Sequence, residues 1–359
     1  MHSFSKYVMR TPAFPLGFYF YVLQNYSPKK LLEVCSNDYF RESIRIASPE
    51  LLGLIDKWSS IPNNTNSDKK TKLEHTLLKY IARISKRCTP FGLFSGCAVG
   101  DFAQETNIVV APSKNHARHT QFDLHFWVNL LKDFSSRNEV RSDLVFYPNN
   151  SLYALGDFYR FVTYNYVNSK REHSICALRK SELLETLIKK STNGIKINAM
   201  IDFIADDDSE KQEALNFINE LIDMQFLVSE LDATVTGSDE WQRVLTILEK
   251  IPSLKNEFEI LKKIKFKFNI LDAQTVPNET IYENIKNLIQ KMNGSFEERH
   301  LFQTDLNIKT LENTLNKDIS AKVLRALHFL NGIQTKNNSE NQSNFIKKFL
   351  QRYETQEMP

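Results

Sequence analysis

Two arginines one helical turn apart, Arg83 and Arg87, stand just before a hydroxyl residue, Thr89, and the turn Thr89-Pro90-Phe91-Gly92. Guanidinium forks at i and i+4 aim their N–H donors from one side of a helix, which suits a phosphate or a carboxylate. Thr89 adds a hydroxyl that donates or accepts beside them. The same residues also fit a plainer description, a solvated basic face whose cations sit favourably at the negative end of a helix. Either way, the arginines must lie on a helix that ends before Pro90.

The flanking residues predict that helix. Leu73, Leu77, Tyr80 or Ile81, and Ile84 recur at helical spacing, while Lys79, Arg83, Lys86 and Arg87 gather on a second, cationic side. Pro90 stops it, because the preceding residue is pushed out of the helical region and proline has no N–H to donate. The chain has only ten glycines, and Gly92, Gly96 and Gly100 fall within residues 83–100. Glycine used so sparingly marks turns and close backbone approaches. Arg10 precedes Thr11-Pro12 at a turn or strand start, where an exposed surface arginine is the default. Residues 120–131 are expected to open a helix, and Asp123 lies where it can cap or charge the first turn, with Phe126, Trp127 and Leu130 or Leu131 on the apolar side; capping alone accounts for it.

Composition narrows the class. With 359 residues, 42% of them hydrophobic, the chain can bury a sizeable core in two or three modules. A net charge of +3 excludes a global nucleic-acid signature, so any polyanion site is a local patch. Cys35, Cys88, Cys97 and Cys176 lack metal-ligand spacing and read as free thiols in a reducing compartment. No signal peptide and no membrane-spanning apolar run is visible, so a cytoplasmic protein is expected. No metal site and no phosphate loop is found, and no cofactor is expected.

Residues 144–147, 152–155, 158–166 and 173–178 are short, aromatic and β-branched, with turn residues between them, and predict strands. Three amphipathic helices follow, over 180–190, 195–205 and 208–224, and then a strand over 226–230. Strands, three helices and a closing strand suggest a winged-helix-like unit. Its helices carry Asp206–Asp208, Glu210, Glu213 and Glu220, an acidic balance that disfavours a phosphate backbone. From residue 237 the chain is mostly helical, except that lysine alternates with apolar residues over 261–270 and predicts a strand with one cationic face, which suits an RNA backbone but more often protects an edge strand, the preferred reading. Polar runs at 61–72 and 334–344 predict loops, and a last helix is expected over 345–357. The fold class is α+β, with mixed helices and antiparallel sheets and a module inserted at 143–232 between 1–142 and 233–359.

The run Arg-x-x-x-Arg-x-Thr-Pro-Phe-Gly-Leu-Phe-Ser-Gly from Arg83 resembles the signature of the N-terminal, glutamylating domain of LanB-type lantibiotic dehydratases. Arg10-Thr-Pro, Asp123-Leu-His-Phe-Trp127 and Phe302-Gln-Thr-Asp-Leu306 agree with that family in the expected order. The resemblance implies transfer of the glutamyl group of glutamyl-tRNA, a co-substrate, to a Ser or Thr hydroxyl of a precursor peptide. It makes Arg83, Arg87, Thr89, Asp123 and Asp305 catalytic candidates. Arg10, Lys79 and Lys86 become candidates for holding glutamate or tRNA.

In similar maturases a module like 143–232 recognises the precursor's leader peptide by strand addition. The edge is then Ser174, Ile175, Cys176, Ala177 and Leu178, and the facing helix, 209–223, offers Phe217 and Leu221. A lanthionine cyclase and a second copy of the chain are further partners that the resemblance implies. Family members run far longer, and the family's other glutamylation arginine and its elimination domain have no counterpart here, so a fragment incomplete for catalysis is expected. Two alternatives stay open: part of a peptide aminoacyl-tRNA ligase, and a non-catalytic leader-binding subunit of a split enzyme.

Overall fold

The computed structural model describes residues 4–58, 67–167, 170–234, 236, 239–274, 279–292, 294–334 and 339–354. The chain opens with β1 (Lys6–Pro12) and the helices α1 (Leu16–Gln24), α2 (Pro28–Cys35), α3 (Asp38–Ala47), α4 (Pro49–Asp56) and α5 (Ser67–Lys86). Strands β2 (Ser95–Ala103), β3 (Asn107–Val110) and β4 (Ala117–Phe122) lead into α6 (Leu124–Ser136) and α7 (Asn138–Arg141). Next come β5 (Val145–Pro148), β6 (Tyr153–Leu155), β7 (Phe158–Val167) and β8 (Lys170–Arg179). They are followed by α8 (Glu182–Ser191), β9 (Ile195–Lys196), α9 (Ile197–Ile204), α10 (Lys211–Asp223) and β10 (Leu227–Ser229). The rest is α11 (Glu240–Leu248), α12 (Lys255–Asp272), α13 (Thr280–Gln290), β11 (Phe302–Asn307), β12 (Thr310–Asn316), α14 (Lys317–Ile333) and α15 (Glu340–Tyr353).

Local chemistry explains many of these boundaries. Ser27 caps α2, its Oγ accepting from Lys30 N–H at 3.1 Å, with Pro28 at the first helical position. Ser181 caps α8 in the same way, accepting from Leu184 N–H at 3.2 Å.

The chain divides into two compact units. One comprises Met1–Met9, Ala98–Ala111 and Lys309–Pro359. In it the end of β2 runs parallel to β12, with Thr314 opposite Asp101, and β12 pairs antiparallel with β3. Tyr7 donates to Asn313 Oδ1 at 2.5 Å.

The other unit, Arg10–Cys97 and Pro112–Ile308, holds the candidate site residues. Here β11 meets the start of β2 in parallel, Asn307 opposite Cys97, and pairs antiparallel with β4 from Phe302↔Phe122 to Asn307↔Ala117. Gly96 makes the β2–β11 approach possible, because a Cβ there would sit 2.0 Å from Leu306 O. Two three-stranded antiparallel sheets, β10-β5-β9 and β6-β7-β8, lie in the middle of the sequence. One core runs from Phe122 through Phe146, Leu187, Ile218 and Trp241 to Leu301, so residues 143–232 share their interior with the helices that follow. Its centre is a stack of rings: Trp241 lies 4.8 Å from Trp127 and 5.6 Å from Phe268.

Residues 261–270 are not the strand that their alternation predicts. They lie inside α12, because Leu261, Ile264, Phe268 and Leu271 are buried at helical spacing and that burial outweighs the local two-residue rhythm. Of the loop expected over 61–72, residues 61–66 lie outside the described residues and Ser67 onward is already α5. Of the loop expected over 334–344, residues 335–338 lie outside the described residues and Glu340 onward is helix. The last helix begins earlier than expected, and residues 355–357 of the expected span lie outside the described residues. Among the described residues no helix is long and apolar enough to cross a membrane.

Candidate active site

Arg83 lies in the last turn of α5 and Arg87 directly follows the helix, its N–H donating to Arg83 O at 3.3 Å. Beyond them the chain turns sharply, with Gly92 at φ +51°, where a side chain would be strained. The turn folds Phe91 back under Arg83, whose guanidinium carbon lies 4.0 Å from the centre of the ring. Phe91 in turn packs 5.8 Å from Phe94, which is fully buried. Stacked in this way, Arg83 has its Nε buried with no hydrogen-bond partner. Burial, and then the like charge of Arg87, pull the Arg83 pKa below the usual guanidinium value against the opposing effect of Tyr80. Among the described residues neither arginine makes an ion pair. An unsatisfied donor beside a repelling cation is relieved by an anion from outside.

The other residues of this corner are accessible. Thr89 is exposed, and its carbonyl, not its hydroxyl, is engaged, accepting from Ser95 Oγ. Lys86 Nζ lies 4.4 Å from the centre of the Tyr19 ring, and Lys79 is exposed.

A second group lies on a sheet face. Asp305 on β11 is exposed, stands opposite His119 of β4, and accepts weakly from Gln303 Nε2 at 3.3 Å. Asp123 follows β4 directly; its N–H donates to Leu301 O at 2.9 Å, and its Oδ1 accepts from His125 N–H at 2.8 Å, capping α6. Strand alternation places His119, Gln121, Gln303 and Asp305 on one side, with Asp123 continuing it. Asp123 is four residues beyond His119, roughly 13 Å along the strand, so the two aspartates share a face without touching. Beside Asp123, the His125 ring lies 4.8 Å from that of Tyr166. Burial raises the Tyr166 pKa, and Asp123 adds to the rise while Arg171 opposes it.

Arg10 on β1 is exposed, and the Ala13 N–H donates to Phe94 O at 2.9 Å. The Arg10 strand pairs with β2, which in turn meets β11 at Cys97, so β1 lies two strands, roughly 10 Å, from β11. The next residue, Phe14, donates its N–H to Ile84 O at 2.9 Å, tying β1 to the end of α5. The structure thus gathers Arg83, Arg87 and Thr89 at one helix end and places Arg10, Asp123 and Asp305 along the sheet. Among the described residues no hydrogen bond or ion pair joins the arginine pair to either aspartate.

Sequence reasoning missed Phe91 as the platform for Arg83, although an aromatic residue after the turn proline was a visible signal. It also missed the buried support behind β4. Arg118 donates to Glu42 Oε1 at 2.7 Å, to the Tyr282 hydroxyl at 2.9 Å and to Thr120 Oγ1 at 3.1 Å. Burial works against the charge on Arg118, but Tyr282 and Glu42 outweigh it and the pKa is raised. Nothing in the spacing of these residues announced the cluster.

The predicted peptide edge exists as geometry. β8 is an outer strand of β6-β7-β8, with Ser174, Ile175 and Ala177 exposed and Cys176 and Leu178 half-buried. Leu221 is a correction. It is buried in the core at 1% exposure, on the side of α10 that packs inward, and offers nothing to a peptide. Phe217 is half-buried against the same core, and α10 packs on α9 and β10.

Below this region a cavity of about 310 Å³ is lined by Lys132, Arg141, Tyr164 and Asp232, among others. Burial pushes the Asp232 carboxyl up to about 6, against the pull of Arg243, Lys132 and Arg171. Between its ordinary 3.8 and about 6 the folded state holds the extra proton, so this group makes stability fall as pH rises through that window and level off above it. Asp232→Asn is expected to remove that slope. Urea unfolding at pH 5 and pH 7 should show the variant gaining about 1 kcal/mol on the wild type between the two. Parallel curves would mean that Asp232 ionises freely.

Comparison with known proteins places the chain. Residues 36–359 match the family model for the N terminus of lantibiotic dehydratases. The chain is 23% identical over 326 residues to the epidermin biosynthesis protein EpiB of Staphylococcus epidermidis, covering 90% of this chain and 32% of that protein. It is 24% identical to the subtilin biosynthesis protein SpaB of Bacillus subtilis, covering 90% of this chain and 31% of that one. It therefore spans about a third of the length of these relatives. The fold is that of the tRNA-dependent lantibiotic dehydratase MibB from Microbispora sp. 107891, at a TM-score of 0.72 and 19% identity over 98% of this chain and 33% of that one. The glutamylation domain of TbtB from thiomuracin biosynthesis is also similar, with a TM-score of 0.56 and 17% identity over 84% of this chain and 36% of that one. With the family model matched over residues 36–359, the chain belongs to the lantibiotic dehydratases and corresponds to their N-terminal part.

Proposed function

We propose that the chain takes part in glutamylation during lantibiotic biosynthesis, transferring glutamate from glutamyl-tRNA to Ser or Thr of a precursor peptide. The observation that carries this reading is Arg83, a half-buried guanidinium with an orphaned Nε, pressed on Phe91 and repelled by Arg87. Such a site is incomplete until an anion arrives. The glutamate side-chain carboxylate or a terminal tRNA phosphate has the required charge and planar or branched oxygens. The tRNA dependence of MibB and the glutamylation activity named for TbtB agree with it.

The reaction needs no further activation. The peptide hydroxyl oxygen attacks the ester carbonyl, the bond from that carbon to the tRNA ribose oxygen breaks, and the hydroxyl proton ends on the departing ribose oxygen. Arg83 and Arg87 hold the anion, and Thr89 donates a hydrogen bond at the turn. Asp305 and Asp123 flank the sheet face on which the peptide hydroxyl is oriented, and Arg10 provides a further cation there. Lys79 and Lys86 extend the cationic side along α5 toward tRNA. Residues 143–232 recognise the leader, which adds a strand at Ser174–Leu178.

A second reading, a leader-binding subunit without catalysis, is favoured by Ile175, which is 66% exposed on that edge. Transfer of labelled glutamate from glutamyl-tRNA to the cognate precursor separates the two. Labelled peptide is the expected result. Leader binding without transfer from any aminoacyl-tRNA would establish the second reading instead.

A further inference from the structure

Helices α12 and α13 form an open groove of about 580 Å³ that the reaction described above does not use. Its α12 wall presents Lys262, Lys263, Phe266 and Lys267, and its α13 wall presents Asn284 and Asn287, with Lys291 just past the end of that helix. Each wall repeats at i, i+3, i+4 and beyond, so these residues form one face of each helix. Four lysines stand against a single lining carboxylate, Glu259, which pairs loosely with Lys262 at 3.6 Å. Among the described residues Lys263, Lys267 and Lys291 make no ion pair. Between them Phe266 is 66% exposed, an apolar ring held in water inside a cationic groove.

We infer that this groove is a docking surface for the ribose-phosphate backbone of RNA, with Phe266 as a stacking platform for an unpaired base. The inference rests on the proposed use of an aminoacyl-tRNA and locates a contact with the body of that tRNA. Unpaired lysines one turn apart, about 5–6 Å, follow successive phosphates and release their counterions on binding. An exposed aromatic ring among them is the arrangement by which proteins hold unpaired bases irrespective of sequence. Asn284 and Asn287 add amide donors and acceptors for 2′-hydroxyls. An acidic peptide would satisfy the lysines but leave the ring and the amides without a role.

The test is binding of deacylated tRNA to the 359-residue chain across a salt series, followed by fluorescence anisotropy. The chain with Lys263→Ala, Lys267→Ala and Lys291→Ala together is expected to bind at least tenfold more weakly. The slope of log affinity against log salt should become shallower by about 2 to 3, since each lost lysine removes about 0.7–0.9. Phe266→Ala alone is expected to weaken binding about tenfold with the slope unchanged. Lys263, Phe266 and Lys291 are exposed and Lys267 is half-buried, and circular dichroism checks that the variants fold.

Wild-type affinity and slope in the triple variant would overturn the inference, as would a chain that binds no tRNA. Loss of binding to a polyglutamate peptide but not to tRNA would assign the groove to acidic peptides and overturn it too. Glutamyl transfer at saturating glutamyl-tRNA reports on the proposed function separately. That activity should survive in the triple variant with a raised KM for glutamyl-tRNA, so the docking surface and the chemistry fail or stand independently.

Discussion

Arg83→Ala is expected to slow glutamyl transfer by about a hundredfold or more while leaving the folded state as stable as the wild type. Arg83 is stacked on Phe91 but has no acidic partner among the described residues, and both burial and Arg87 disfavour its charge. An arginine kept for structure would behave in the opposite way, because removing it would leave a buried acid unpaired. Arg83→Lys sharpens the comparison. The ammonium keeps the charge but loses the planar fork and the stacked face, so only partial transfer is expected. Single-turnover transfer rates with glutamyl-tRNA, read beside urea unfolding curves, make the measurement. A variant that transfers at the wild-type rate would reduce the arginine pair to a basic helix end. A variant that unfolds early would mean that the stacking on Phe91 is structural.

Glu42→Ala should be the most destabilising single change in the larger unit, by about 3–5 kcal/mol. Glu42 and Arg118 are both buried, and their ion pair at 2.7 Å is joined by the Tyr282 hydroxyl, which donates to Glu42 Oε1 at 2.5 Å. Deleting the carboxylate strands the Arg118 guanidinium in the interior, where its charge has no comparable replacement; the nearest acid, Asp272, is 3.7 Å away and partly solvated. The double change Glu42→Leu with Arg118→Leu is expected to recover much of the loss, since both charges go together.

The cluster holds β4 against α3 and α13, and Thr120 on the same strand touches Thr304 of β11 at 3.3 Å. The single variant should therefore also disturb the face that bears Asp305. Urea midpoints for the three proteins decide the matter. A Glu42→Ala midpoint at the wild-type value would show that water already reaches the cluster.

What was readable in advance was local. The α5 helix and its stop at Pro90 follow from apolar spacing and from the missing proline N–H, both set within a few residues. Asp123 as a cap, the glycines of residues 83–100 and the short strands of residues 145–179 are equally local. The misreading of α12 shows where a short window fails. Over residues 263–268, lysine and apolar residues alternate as well as in any strand, and only the longer sequence of Leu261, Ile264, Phe268 and Leu271 carries the helical period. Packing against Trp241 and Phe122 settles it.

By itself, then, the sequence determined the arginine pair, its turn and the order of the segments, because backbone preferences and i, i+4 neighbourhoods act over a single helical turn. The tertiary structure alone decided that Arg83 loses its hydrogen-bond partner on Phe91 and that Leu221 faces the core. It also decided that Arg118 finds Glu42 and Tyr282, 76 and 164 residues away. Burial and charge pairing depend on which distant segments meet, and no spacing along the chain encodes that meeting.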